Sequence, residues 1–131
     1  MSYLTLEATA RTPFVRLDET TASLVIRGES YPEDVPLFFA QIHEALERYF
    51  ADHNAPFTLE IKLTYFNSSS ARALMELLDM LDNKASDNQP ISVAWHCDPD
   101  DDITHEFATD ISSDVQHISV EILDMAPDDQ S

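Results

Sequence analysis

Hydrophobic positions along this chain switch between a period of two and a period near four. Leu4 to Ala8 alternates, and Phe14 to Leu17 and Ser23 to Arg27 are short β-favouring runs separated by the polar segment LDETTAS. This predicts an N-terminal β-hairpin with an extra edge segment. From Pro36 to Phe50 the period lengthens. Phe38, Ile42, Ala45, Leu46, Tyr49 and Phe50 share one side of a helix, while Glu44, Glu47 and Arg48 fall on the other. Pro36 suits the first turn, and Asn54 with Pro56 ends the segment. Alternation returns over Phe57 to Tyr65, which puts Leu59, Ile61, Leu63 and Tyr65 on one face of a strand. After Asn67 a second helix places Ala71, Leu74, Met75, Leu78 and Leu81 on one stripe, widened by Leu77. A polar loop, NKASDNQP, leads to a strand over Ile91 to Cys97 in which Ile91, Val93 and Trp95 share a face. An acid-capped short helix around Ile103 to Ile111 and a last strand, His117 to Leu123, complete the series, leaving residues 125–131 as a loose polar tail.

A hairpin followed by strand and helix in alternation predicts an α/β sandwich: a mixed sheet in which right-handed crossovers make successive strands parallel, with helices packed on it. The chain has 131 residues and reads as one domain, 1–131, able to bury roughly two-thirds of the surface its unfolded form exposes. It is 44% hydrophobic, so collapse is expected, and no apolar run approaches the ~20 residues of a membrane span. Its start, MSYLTLEATARTPF, lacks the basic and apolar regions of a secretory signal, and a cytoplasmic address follows as an expectation. Seven Lys and Arg stand against 25 Asp and Glu, a formal charge of -18. Such a surface repels nucleic acid and anionic lipid and favours protein partners with a basic face.

Candidate chemistry concentrates where the strand Phe57 to Tyr65 meets the helix after Asn67. Asn67 is a good N-cap, and Ser68, Ser69 and Ser70 then fill the first helical turn, where backbone N–H groups lack partners and negative charge is favoured. A phosphate on a serine there is locally tolerable, although ordinary capping also accounts for three serines. Arg72, four positions after Ser68, reads either as a partner for a phosphate or an acidic residue, or as a solvated arginine. Tyr65 and Phe66 flank the site and supply an aromatic anchor, with one of them turned into the core. Glu33 and Asp34, near Tyr31 and Pro32, suit the entry of a helix, where acidic residues favour the dipole.

Other constellations carry less. The histidines, His43, His53, His96, His105 and His117, show no pair at the i, i+4 spacing of a helical zinc site, and Asp98 to Asp102 lacks the alternating ligands and mid-loop glycine of a calcium loop. No metal and no cofactor is expected. Cys97 reads as a buried small hydrophobe. Gly28, the only glycine, is expected in a backbone conformation that other residues avoid, and one glycine cannot build a phosphate loop. No histidine stands near Ser68 in sequence to act as its base, so the chain is read as a binding module and not an enzyme.

Two segments, GESYPEDVPLFFAQI (Gly28 to Ile42) and LTYFNSSSARALMELLDML (Leu63 to Leu81), resemble the SiaC family of bacterial regulatory phosphoproteins. That family is similar in architecture to STAS domains, which also carry a phosphorylatable hydroxyl at a strand-to-helix turn. The resemblance implies a partner-switching circuit. A kinase with a histidine-kinase-like ATPase fold modifies the residue after the Asn, and a metal-dependent Ser/Thr phosphatase reverses it. The bare form binds and activates a diguanylate cyclase, tuning cyclic di-GMP and biofilm formation. By position the acceptor is Ser68, with Ser69 as the alternative, and Tyr31, Pro32, Glu33, Tyr65, Asn67, Ser69 and Arg72 are the expected partner-binding residues. Two other readings stay open: a STAS-type antagonist of an anti-sigma factor, and a small hydrolase or metal enzyme.

Overall fold

The computed structural model describes residues 2–86 and 89–125. Its elements are β1 (Ser2–Leu6), β2 (Phe14–Asp18), β3 (Ser23–Ser30), α1 (Val35–Asp52), β4 (Phe57–Phe66), α2 (Ser68–Lys84), β5 (Ile91–Cys97), α3 (Asp102–Asp114) and β6 (Ser119–Asp124). The strands form one sheet whose spatial order repeats the chain order, β1 to β6. β1, β2 and β3 pair antiparallel, and β3 to β6 run parallel. Each parallel step moves the same way across the sheet, so right-handed crossovers lay α1, α2 and α3 on the same face. The core fills that layer: Leu17, Leu24, Ile26, Leu59, Ile61 and Trp95 from the strands meet Ile42, Leu46, Leu74, Leu77, Leu78 and Leu81 from the helices, all fully buried. The other face of the sheet is open and carries Arg16, Arg27, Glu60 and Lys62. The expected mixed sheet with helices packed on it is therefore found, with all three helices to one side.

Three expectations about faces need correction. In α1 the buried line runs through Val35, Phe39, Ile42, Ala45, Leu46, Tyr49 and Phe50, so Phe39 and not Phe38 lies in the core. In α2 the buried set is Ser70, Ala73, Leu74, Leu77, Leu78 and Leu81, which leaves Met75 47% exposed and Ala71 half-buried. The stripe turns because Ser70 Oγ finds a partner inside, Ser30 Oγ at 2.9 Å, and so a polar residue takes a core position. In β4 the alternation breaks at Leu63. Gly28 opposes Leu63 while Glu29 opposes Tyr65, so Thr64 is an extra residue on β4 and every side chain after it changes face. Tyr65 accordingly points to solvent and not with Leu63.

The bulge depends on Gly28, whose φ of 110° lies in the region that L side chains rarely adopt. Thr64 Oγ1 donates to its carbonyl at 3.2 Å. β3 thus extends past Gly28 to Ser30, and the chain reaches Tyr31 at the same end of the sheet as Asn67.

β6 begins at Ser119, two residues later than the pattern predicts. The Asp82 carboxylate accepts from the backbone N–H groups of Gln116, His117 and Ile118 at 3.1, 2.6 and 3.0 Å, which holds that loop out of the ladder. Met125, assigned to the loose tail, is instead buried and donates its N–H to the Cys97 carbonyl at 2.7 Å. Residues 126–131, and Asp87 with Asn88 in the polar loop, lie outside the described residues.

Candidate functional site

The strand-to-helix turn after β4 is built on backbone hydrogen bonds. Asn67 caps α2: its Oδ1 accepts from the Ser70 N–H at 2.8 Å, its carbonyl from Ala71 at 2.9 Å, and its own N–H donates to the Ser30 carbonyl at 3.1 Å. That last bond ties the turn to the end of β3. The buried Ser30 and Ser70 hydroxyls add a second tie between the same segments. Ser70 is therefore structural, and only Ser68 and Ser69 present hydroxyls to solvent.

Those two serines face different clefts. Ser68 lines a cleft of about 380 Å³ between α2 and α3, with Tyr65, Phe66, Asp101, Ile103 and Phe107 among its walls. Ser69 lines one of about 560 Å³ between α1 and α2, with His43, Glu47 and Arg72. Arg72, expected on the side of Ser68, thus shares its cleft with Ser69. Among the described residues no hydrogen bond joins the Ser69 hydroxyl to His43, which lines the same cleft.

A second loop, after β3, stands beside the turn. Tyr31 meets Tyr65 edge-to-face, ring centroids 5.6 Å apart, and its N–H donates to the Arg11 carbonyl at 2.8 Å. Arg11 also pairs with Glu33 at 3.0 Å; with both side chains largely exposed, this bond orients more than it stabilises. Pro32 is buried and shapes the loop without presenting a surface. Asp34 caps α1, accepting from the Leu37 N–H at 3.0 Å. Phe66 points inward to Phe107, centroids 5.5 Å apart.

Sequence reasoning missed three exposed apolar residues. Leu37, Met75 and Ile103 are 66%, 47% and 82% exposed, and with Tyr65 at 53% they are the exposed large hydrophobics of the described residues. Leu37 and Ile103 lie in the first turns of α1 and α3, and Met75 lies two turns along α2 from Ser68. Leu37 and Ile103, with Tyr65, belong to the end of the sheet where Ser68 stands, whereas Met75 lies near the middle of α2. Ile103 carried a signal, an isolated isoleucine between three aspartates and THE. Leu37 and Met75 carried none, since each sits inside a run that also supplies core residues.

The acids near the cleft are fixed by local bonds. Asp101 accepts from Thr104 through its hydroxyl at 2.6 Å and its N–H at 3.0 Å, and these bonds hold its carboxyl below the usual range. Cys97 is buried in β5, and burial, with Asp101 and Asp124 adding to it, pushes its thiol up to about 11, so it stays protonated and unreactive at neutral pH.

Residues 6–125 match the family model described as SiaC family regulatory phosphoprotein. The chain belongs to the SiaC family. An uncharacterised protein of Pseudomonas aeruginosa is 34% identical over 114 residues, covering 87% of this chain and 90% of its own length. Among solved structures, apo-SiaC from Pseudomonas aeruginosa matches with a TM-score of 0.84 at 31% identity, covering 94% of this chain and 98% of that one. SiaC from the same organism in complex with the diguanylate cyclase SiaD, described there as its activator, matches with a TM-score of 0.85 at 31% identity, over 93% of this chain and 99% of that one. The mixed sheet with three helices is therefore the SiaC fold, and this chain is a regulatory phosphoprotein by family.

Proposed function

We propose that this SiaC-family chain is a phosphorylation-controlled adaptor whose unmodified form binds and activates a diguanylate cyclase, with Ser68 as the acceptor. The observation that carries this reading is the exposed Ser68 hydroxyl at the end of the sheet that also bears the exposed Leu37, Tyr65 and Ile103. Exposed apolar side chains gathered at one end of a strongly acidic protein are a docking surface. A phosphate there adds about -1.5 to -2 charges in the midst of that surface. The first turn of α2 tolerates it, since the helix end favours negative charge by about 0.3–1 kcal/mol. A partner that had buried the bare hydroxyl would have to desolvate a dianion, so it leaves.

The relatives support the choice of partner, because SiaC of Pseudomonas aeruginosa is described as the activator of the cyclase SiaD. A Ser/Thr kinase of the histidine-kinase-like ATPase fold and a metal-dependent Ser/Thr phosphatase complete the circuit in the cytoplasm. Among the described residues no helix is long and apolar enough to cross a membrane. Tyr31, Glu33, Tyr65 and Ser69 supply contacts around Ser68. Pro32 and Asn67 hold their loops in place, and Arg72 meets a partner from the α1/α2 cleft.

The test is binding of the cognate full-length cyclase to the parent, Ser68→Ala and Ser68→Asp proteins by calorimetry. Ser68→Asp is expected to bind at least tenfold more weakly than the other two, while its thermal unfolding stays within a few degrees of the parent. Equal binding by both variants would defeat the switch.

A further inference from the structure

The α2/α3 cleft beside Ser68 has a chemistry specific enough to describe what enters it. Phe66 and Phe107, in contact with each other and packed on the core, line its base, and the exposed Tyr65, Ser68 and Ile103 line it toward solvent. Ile103 is 82% exposed in the first turn of a helix, although its neighbours Phe66 and Phe107 are packed against the core. An isoleucine left so open is covered only when something docks over it. On the α3 side the rim is acidic: Asp100 and Asp102 are exposed and have no ion-pair partner among the described residues.

We infer that this cleft seats one apolar side chain of the cyclase partner, a Leu, Ile, Met or Phe, flanked on its own segment by a Lys or Arg that meets Asp100 and Asp102. The inference rests on the functional reading above and gives the chemistry of the docking segment. Charge complementarity argues for the basic flank, because a body of formal charge -18 attracts a basic segment and repels an acidic one. It also explains why a phosphate can break a contact with a basic partner. The attraction to the cation survives, but the phosphate fills the cleft, and an apolar anchor cannot be buried against a hydrated dianion. Displacement of the anchor thus outweighs the charge gained at the rim.

Three variants of the full chain test this with the cognate full-length cyclase as probe. Ile103→Ala is expected to weaken binding at least tenfold at unchanged thermal stability, since the side chain is exposed in the free protein. Asp100→Asn with Asp102→Asn is expected to reduce the salt dependence of the affinity. Leu123→Ala, on the open sheet face, is expected to leave binding unchanged. A cyclase that binds Ile103→Ala as tightly as the parent, with the same salt dependence for the double variant, overturns the inference and leaves the functional reading standing. A parent protein that binds no cyclase at all overturns both.

Discussion

At the scale of single residues, two polar contacts carry more than their size suggests. Ser30 and Ser70 are both fully buried and satisfy each other's hydroxyls at 2.9 Å. Ser70→Ala strands the Ser30 hydroxyl and is expected to cost about 1–3 kcal/mol, whereas removing both hydroxyls costs less than the two single losses together. Urea unfolding of the three variants checks this, and strictly additive losses would mean the pair is not a unit. Asp82 is the second case. Partial burial raises its proton affinity, but the backbone N–H groups of His117, Ile118 and Gln116 outweigh that and hold the carboxyl below its usual range. A carboxyl with a lowered folded value contributes stability that is present above about pH 4 and disappears as pH falls through the folded value. Thermal unfolding of the parent is thus expected to drop below about pH 4. Asp82→Asn should start lower at neutral pH and fall less steeply, and parallel curves for the two proteins would remove Asp82 as the cause.

Gly28 shows the same logic at the scale of elements. An added Cβ would meet only Pro13 Cα at 3.8 Å, an ordinary contact, so the obstacle to substitution is the φ of 110° and not space. Gly28→Ala is expected to destabilise by about 1–2 kcal/mol with the fold retained, read by the midpoint of denaturant unfolding. A loss near zero would show that the bulge relaxes without it. The order of strands and helices was legible because each apolar run has the period of its element, and Asn67 was legible as a cap because its side chain suits that one position. The face of Tyr65 was not, since a bulge is a relation between two strands and only the lone glycine hints at it. The core line of α2 was also hidden: hydrophobicity favoured Met75, but packing space under the helix chose Ala73 and a Ser70 already satisfied from β3.

For the molecule as a whole, the strictly sequential strand order explains why a site forms where it does. Crossovers that all step the same way set the starts of α1, α2 and α3 side by side at one end of the sheet, which brings Leu37, Ser68 and Ile103 to a common rim from distant parts of the chain. No local pattern announces that meeting, so the acceptor serine was readable and its apolar surroundings were not. The charge of the same molecule gives the last prediction. At most seven of the 25 acids can find a lysine or arginine, so repulsion among the rest dominates the attraction within pairs such as Arg11 with Glu33. Raising ionic strength from about 0.01 M to about 0.1 M shortens the screening length from about 30 Å to about 10 Å. The isolated protein is then expected to melt at a higher temperature, because the compact state sheds more repulsion than the unfolded chain. Its complex with a partner of basic face moves the opposite way and weakens, because the screened interaction there is attractive. Scanning calorimetry of the free chain and titration of the complex over one salt series measure both slopes. Should the two share a sign, the acidic surface would not be what recruits the partner.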